Sequence, residues 1–269
     1  MPGSLMSEVL LFEVKNHIAT LTLNQPETRN SISEYEMIEA ITAACERLNN
    51  DKDIRVGILT ANGSAFCSGG NIKDMRDKKG MFGGDDIAAN YKSGIQRIPL
   101  ALNNVEVPLI AAVNGPAVGA GCDLTCMCDI RIASEKAMFA ESFVKVGLIP
   151  GDGGAWFLPK VVGTSRATQM ALTGEMIDAQ TAQEWNLVSE VVLHDNLLHR
   201  AEELAQQIAQ NPPATVRATK RLLKIAQGME LSDLLDESAK VQAKMHASDD
   251  HMEAINAFLE KRKPEFKGS

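Results

Sequence analysis

The segment Asn114-Gly-Pro-Ala-Val-Gly-Ala-Gly-Cys-Asp-Leu124 combines residue types and a spacing that suit catalysis. An apolar, strand-like run (108–113) leads into it, and a helix-compatible stretch (122–129) follows. Gly119, Ala120 and Gly121 are therefore expected where a helix begins. There the first-turn amides have no acceptor within the helix and form the positive end of its dipole. Small side chains let a ligand oxygen come close to those donors, and Asp123 sets a carboxylate beside them. This is the outline of an oxyanion site with an acid at hand. The same pattern also fits a turn that serves packing alone. It is neither the full Gly-x-Gly-x-x-Gly of a dinucleotide site nor the Gly-Lys-Ser/Thr ending of a phosphate loop.

Two further glycine turns accompany it. Phe66-Cys-Ser-Gly-Gly-Asn-Ile-Lys-Asp-Met75 follows a short apolar strand (55–60) and runs into a helix-like segment; Pro150-Gly-Asp-Gly-Gly154 precedes Ala155-Trp-Phe-Leu158. The elements that must hold these turns are legible in part. Ala19, Leu21 and Leu23 alternate with Thr20 and Thr22, the period of a half-buried strand. Ser33 and Glu36 have capping-box spacing ahead of Ile38, Ile41, Cys45 and Leu48, which repeat as one helical face. Residues 76–90 are polar and glycine-rich, a mobile loop over a pocket or a surface excursion. One helix is expected over 91–103 and strands over 130–133 and 136–139. From residue 165 on the pattern reads almost entirely as helices. Strands alternating with helices over the first two-thirds imply an α/β core with mainly parallel pairing. The C-terminal helices are too thin to hold a core of their own and need the α/β core or another subunit.

With 269 residues, 45% hydrophobic and 23% charged, the chain has an ordinary globular composition and can bury a sizeable core. No apolar run approaches the ~20 residues that span a bilayer, so no membrane partner is expected. A net charge of −8 argues against sequence-independent nucleic-acid binding, which needs a basic field. The five cysteines include a crowded set, Cys122, Cys126 and Cys128. With no histidine or second cysteine pair at ligand spacing, they are expected to be small buried hydrophobes, and no metal site is expected. The first five residues resemble a cloning remnant before a start at Met6 and no signal peptide, which makes the cytoplasm the expected location.

Taken in order, Ser64-Ala-Phe-Cys-Ser-Gly-Gly-Asn-Ile-Lys-Asp-Met75 and Val113-Asn-Gly-Pro-Ala-Val-Gly-Ala-Gly-Cys-Asp-Leu124 resemble the crotonase superfamily, the enoyl-CoA hydratase/isomerase family. Asn24-Gln-Pro-Glu-Thr-Arg-Asn30, the segment from Phe139 to Gly151 and Leu172-Thr-Gly174 extend the resemblance from Leu11 to about Pro264. It implies an α/β fold with a ββα spiral core over residues 6–200 and a C-terminal helical trimerisation region over 201–269, giving a homotrimer or a hexamer. It implies an enzyme acting on an acyl-CoA thioester, as in fatty-acid metabolism, with no cofactor because coenzyme A is part of the substrate. Amides of Gly70 and Ala120 would bind the thioester oxygen as it becomes an enolate oxyanion. Arg29 would touch the CoA phosphates, and the chain around Ser68, Gly70, Asn71 and Ile72 would line the adenine and pantetheine path.

Hydratases of this family work with two glutamates. Asp123 takes the place of one, and a count back from Pro150 and Gly151 puts Phe143 in the place of the other. Phenylalanine exchanges no proton, so the two-carboxylate set is incomplete as aligned. Glu141, two residues earlier and on the same face of an extended segment, and Asp152, beside Gly151, are the candidate replacements. A single carboxylate suffices to move a double bond. The departures therefore favour isomerisation or a specialised substrate over fatty-acyl hydration. Decarboxylase, hydrolase and dehalogenase chemistry on the same scaffold, or acyl-CoA binding without catalysis, stay open.

Overall fold

The computed structural model describes residues 8–268, so the expected remnant at residues 1–5 lies outside the described residues. The chain opens with a hairpin, β1 (Leu10–Lys15) and β2 (Ile18–Leu23), paired antiparallel across Asn16 and His17. Both turn residues have positive φ, as a tight two-residue hairpin demands. Helix α1 (Tyr35–Asn50), β3 (Val56–Ala61), α2 (Ile72–Asp77), α3 (Ile87–Ser93), α4 (Arg97–Asn103) and β4 (Leu109–Val113) follow. Next come β5 (Ala117–Val118), α5 (Ala120–Cys126), β6 (Ile130–Ser134), β7 (Met138–Ala140) and α6 (Gly154–Thr173). The chain ends with β8 (Met176–Asp178), α7 (Ala179–Glu184), β9 (Glu190–Val192), α8 (Leu197–Ala209), α9 (Pro213–Ile225), α10 (Leu231–His246) and α11 (Asp249–Glu260).

Two sheets result. The larger has the order β1-β2-β3-β4-β6-β9, parallel from β2 onward; the smaller is β5-β7-β8. Strands β3 and β4 are buried at every position, which explains their unbroken apolar sequence: both faces of a central parallel strand are covered. One face of the large sheet packs into the main core with α1, where Met37, Ile38, Ile41, Cys45 and Leu48 are all buried. The other face, with Ile18, Val56, Ile58, Ile110 and Ile132, is covered by α8 through Leu197, Ala201, Ala205 and Ala209, one residue per turn. Small residues at that spacing let the helix lie close on the strands. The boundary expected at residue 200 thus falls inside a helix that belongs to the sheet.

Several elements differ from expectation for local reasons. Glu34, not Ser33, precedes α1 and makes no side-chain cap; the Ser33 hydroxyl instead accepts the amide of Asn71 at 3.0 Å. The helix expected over 91–103 is two, α3 and α4, interrupted at Gly94, where φ is −106° and ψ −117°. Residues 76–90 are an ordered excursion that includes a 3-10 turn at Gly80–Phe82 with Met81 fully buried. The helical last third carries β8 and β9, each three residues long and too short to show a period. Helices α9 and α10 contribute no fully buried residue. Ion pairs fasten α9 to the core, Lys220 to Asp129 at 2.7 Å and Arg217 to Glu106 at 3.0 Å.

Candidate active site

The small sheet brings the glycine turns together. Cys67, just ahead of the first of them, bridges in parallel to Ala117 of β5, and the amide of Val118 donates to the Cys67 carbonyl at 2.9 Å. The second turn leaves β5 directly, and the Gly119 amide donates to the Ala140 carbonyl at the end of β7, 2.8 Å away. Two loops about fifty residues apart in sequence are thus held side by side, with the chain that carries Glu141 next to them. Close approach is built into Gly121: a Cβ there would stand 2.7 Å from the Cys67 carbonyl carbon, inside any normal contact. Among the described residues no acceptor takes the amide of Gly70 or of Ala120. Two neighbouring donors are therefore free for a ligand.

A third strand of support comes from the loop after β2. The Gly69 carbonyl accepts the Ile32 amide at 2.9 Å and the Ser31 hydroxyl at 3.0 Å, and Ser68 donates its amide to the Arg29 carbonyl at 2.9 Å. Arg29 is thereby fixed in backbone beside the first turn, while its side chain is exposed and has no partner among the described residues. The Ser68 hydroxyl donates to the Thr28 carbonyl at 3.1 Å, Asn71 caps α2 through Lys73, and Ile72 is exposed. Arg29, Ser68, Gly70, Asn71 and Ile72 accordingly lie on one continuous patch.

Below the amides sit three carboxyls. Asp123 on the first turn of α5, Glu141 at the exit of β7 and Asp152 in the turn before α6 are all buried. Among the described residues none of their six oxygens has an amide, hydroxyl or cationic partner. The carboxyls of Glu141 and Asp152 are both near enough to Asp123 to raise its proton affinity. The spot is made by Gly154, the first residue of α6, where a Cβ would stand 2.5 Å from Asp123 Cγ. Glu141 reaches the cluster because the chain coils after it: Ser142–Val146 is a 3-10 helix, so Glu141 and Phe143 do not share a strand face as expected of an extended segment. Phe143 turns toward the second loop instead, its ring edge 3.6 Å from the place of a Cβ on Gly119.

Burial is the main cause of a high proton affinity in all three. It pushes Asp123 well above the usual carboxylate range, with the Asp152 charge and the Glu141 contact adding to it. Burial takes Glu141 to about 7 and raises Asp152 as well, both against a lowering contact from Asp123. An unfolded glutamic acid titrates near ~4.3. The folded chain therefore holds protons between about pH 4 and 7 that the unfolded chain has released, and folding stability falls as pH rises through that window. The melting temperature is expected to drop between pH 5 and pH 8, with a smaller drop in Asp123→Asn. A wild-type melting temperature that climbs across the window contradicts this charge assignment.

Sequence reasoning missed Tyr91 and Gln96. The Tyr91 ring edge lies 3.2 Å from the place of a Cβ on Gly151, and burial together with the Asp152 charge raises its phenol. The Gln96 amide donates to the Gly151 carbonyl at 2.8 Å and so fixes the Asp152 turn. Neither has a spacing signal, because both come from the broken helix region. All five cysteines are buried and free, and no group of three or more potential ligands among the described residues has metal-binding geometry. A cavity of about 850 Å³ lined by Cys126, Trp156, Lys160, Lys220 and Lys224 includes none of the three carboxyls. No helix among the described residues is long and apolar enough to cross a membrane.

Comparison with known proteins agrees with this geometry. The enoyl-CoA hydratase/isomerase family profile matches residues 13–269. A 2,3-dehydroadipyl-CoA hydratase of Escherichia coli (strain K12) is 35% identical over 263 residues, 98% of this chain and all of that protein. A 1,2-epoxyphenylacetyl-CoA isomerase of the same organism is also 35% identical, over 264 residues, 98% of this chain and all of that protein. The crystal structure of an enoyl-CoA hydratase from Bacillus anthracis superposes with a TM-score of 0.91 at 31% identity, covering 97% of this chain and 100% of that one.

Proposed function

The chain belongs to the enoyl-CoA hydratase/isomerase family and is an acyl-CoA-processing enzyme of that type; we propose that its reaction is a double-bond shift in an enoyl-CoA thioester. In this reading the amides of Gly70 and Ala120 receive the thioester oxygen. They bind it more strongly as it takes up negative charge, which lowers the barrier to removing a proton from the α carbon. Asp123 is the principal acid/base group, with Glu141 and Asp152 around it. Arg29 meets the CoA phosphates. Ser68, Asn71 and Ile72 flank the adenine and pantetheine, Phe143 borders the acyl end, and no further cofactor takes part.

The observation that carries this reading is the pair of unpartnered amides beside three buried, unpaired carboxyls. Isomerisation is put before hydration because one carboxylate suffices to move a double bond, and the shorter Asp123 stands in one of the family's two glutamate places with Phe143 in the other. Hydration is the second reading, supported by the presence of both an acid and a base and by the activity for which one relative is named. The test is product analysis with 3-enoyl-CoA and crotonyl-CoA, together with exchange of the α hydrogen in heavy water. Fast conversion of 3-enoyl-CoA with slow hydration of crotonyl-CoA is expected. Faster hydration replaces the first reading with the second, and absence of α exchange at saturating ligand removes both.

Placement in the cytoplasm, use on fatty-acyl chains and assembly as a homotrimer or hexamer belong to the same proposal. Phe258, 84% exposed on α11, with Leu259, Leu231 and Leu235, offers an apolar surface suited to another subunit. The domain division that fits this packing keeps α8 with the core and begins the helical region at α9.

A further inference from the structure

We propose that Ser31 is a positioning residue of the oxyanion site: its buried hydroxyl, linked to that of Ser33, polarises the peptide whose N–H is the Gly70 donor. The proposal rests on the acyl-CoA reading and names the side chains that tune one of its two donor amides.

Three consecutive amides line the first glycine turn, and side chains take the outer two. The Gly69 amide donates to Cys67 Sγ at 3.4 Å, and the Asn71 amide donates to Ser33 Oγ at 3.0 Å. The middle amide, that of Gly70, has no acceptor among the described residues. The Gly70 N–H shares its peptide unit with the Gly69 carbonyl. That carbonyl accepts twice, from the Ile32 amide at 2.9 Å and from the Ser31 hydroxyl at 3.0 Å. The Ser33 hydroxyl lies 3.2 Å from that of Ser31 and has no other acceptor among the described residues. Only one direction gives every proton an acceptor: Asn71 N–H to Ser33, Ser33 to Ser31, and Ser31 to the Gly69 carbonyl. The chain begins and ends on the two peptides that flank Gly70. Both serines are buried, so water does not compete for these bonds.

A carbonyl that accepts two hydrogen bonds draws electron density from its amide nitrogen through peptide resonance. The attached N–H becomes more positive and a stronger donor. The second donor is built the same way. The Ala120 N–H shares its peptide with the Gly119 carbonyl, which accepts the amides of Cys122 at 2.8 Å and Asp123 at 3.1 Å. Of the four groups that polarise the two peptides, three are backbone amides, and Ser31 is the one a substitution can remove. The strengthening counts most once the thioester oxygen carries enolate charge, so it acts on kcat more than on binding.

The test compares wild type with Ser31→Ala, Ser31→Thr and Ser33→Ala. In Ser31→Ala the Gly69 carbonyl keeps the Ile32 amide, so it is not left without a partner and the fold should hold. The first readout is the thioester carbonyl stretch of bound, isotope-labelled butyryl-CoA by infrared difference spectroscopy. In wild type it is expected below its frequency in free butyryl-CoA. Ser31→Ala and Ser33→Ala should return it part of the way, and Ser31→Thr, which keeps the hydroxyl, should not. The second readout is exchange of the α hydrogens of butyryl-CoA in heavy water. It is expected to be about 3- to 10-fold slower in Ser31→Ala, less than the loss of about 10²- to 10³-fold from removing a whole donor. Binding of free coenzyme A, which has no thioester oxygen, should match wild type. A carbonyl stretch that keeps its wild-type value in Ser31→Ala overturns the proposal. So does a loss of coenzyme A binding in step with the rate, since Ser31 then merely holds the loop that carries Arg29. If Ser31→Ala does not fold, the spectrum of Ser33→Ala decides, because it cuts the same chain one bond earlier. A wild-type stretch no lower than that of free butyryl-CoA removes the paired-amide reading itself, and the proposal with it.

Discussion

Asp123→Asn is expected to lower kcat with an enoyl-CoA substrate by about 10³-fold, within the range that positioned acid/base groups contribute. Asparagine has nearly the same volume, so the space against Gly154 remains filled. Its amide can donate to the carboxyls of both Glu141 and Asp152, which now have no such donor. The fold should therefore survive, with a melting temperature at pH 8 equal to or above that of wild type, because one buried acid without a counter-ion has been removed. Binding of the CoA thioester, carried in this reading by Arg29 and the first turn, should change little, so the loss appears in kcat rather than KM. Steady-state kinetics and a thermal melt on one preparation check both halves. A variant that keeps wild-type kcat sinks the role of Asp123; one that has lost stability reduces Asp123 to a packing residue.

The oxyanion segments were legible because each is a run of small residues at a strand–helix junction, and composition alone marks such a run. The family resemblance, not composition, singled out Gly70 and Ala120; Ala120 opens α5, Gly70 lies just ahead of α2, and among the described residues neither amide has an acceptor. Arg29, Ser68, Asn71 and Ile72 were singled out by the family resemblance, since no spacing or periodicity marks them. The acids were harder to read. A gap-free count set Phe143 in the second carboxylate place and left the site one acid short. The count gives position along the chain but not direction. A 3-10 coil from Ser142 to Val146 turns Glu141 inward and Phe143 toward Gly119, and nothing in five residues of sequence distinguishes that coil from a strand. Asp152 looked displaced by one residue, yet the α6 junction brings it to the same cluster. Ser33 shows the opposite error: its spacing suggested a helix cap, while tertiary structure uses its hydroxyl to hold Asn71 in the first turn. Strands β5, β8 and β9, of two or three residues, carry no readable period, although β5 is what joins the two loops.

Because β5 joins them, the spacing between the two donor amides depends on how closely the loops approach, and Gly121 is the residue that sets it. Gly121→Ala is expected to reduce kcat/KM by about 10²- to 10³-fold, the loss typical of removing one donor from an oxyanion hole. The added methyl would stand 2.7 Å from the carbonyl carbon of Cys67, and that carbonyl is already fixed by the Val118 amide at 2.9 Å. Backbone cannot swing aside as a side-chain tip can, so the first turn must move as a unit and carry Gly70 away from Ala120. Overpacking of this kind costs about 1–3 kcal/mol, which should also lower the melting temperature. Gly228→Ala is the control, since a Cβ there meets nothing within 4 Å, and it should leave rate and stability unchanged. The decisive comparison is between substrates and simple ligands. Gly121→Ala should weaken turnover far more than it weakens binding of free coenzyme A, which lacks the thioester oxygen. If both fall equally, the close contact at Gly121 supports the binding surface as a whole; if neither falls, the two amides do not act together on one oxygen.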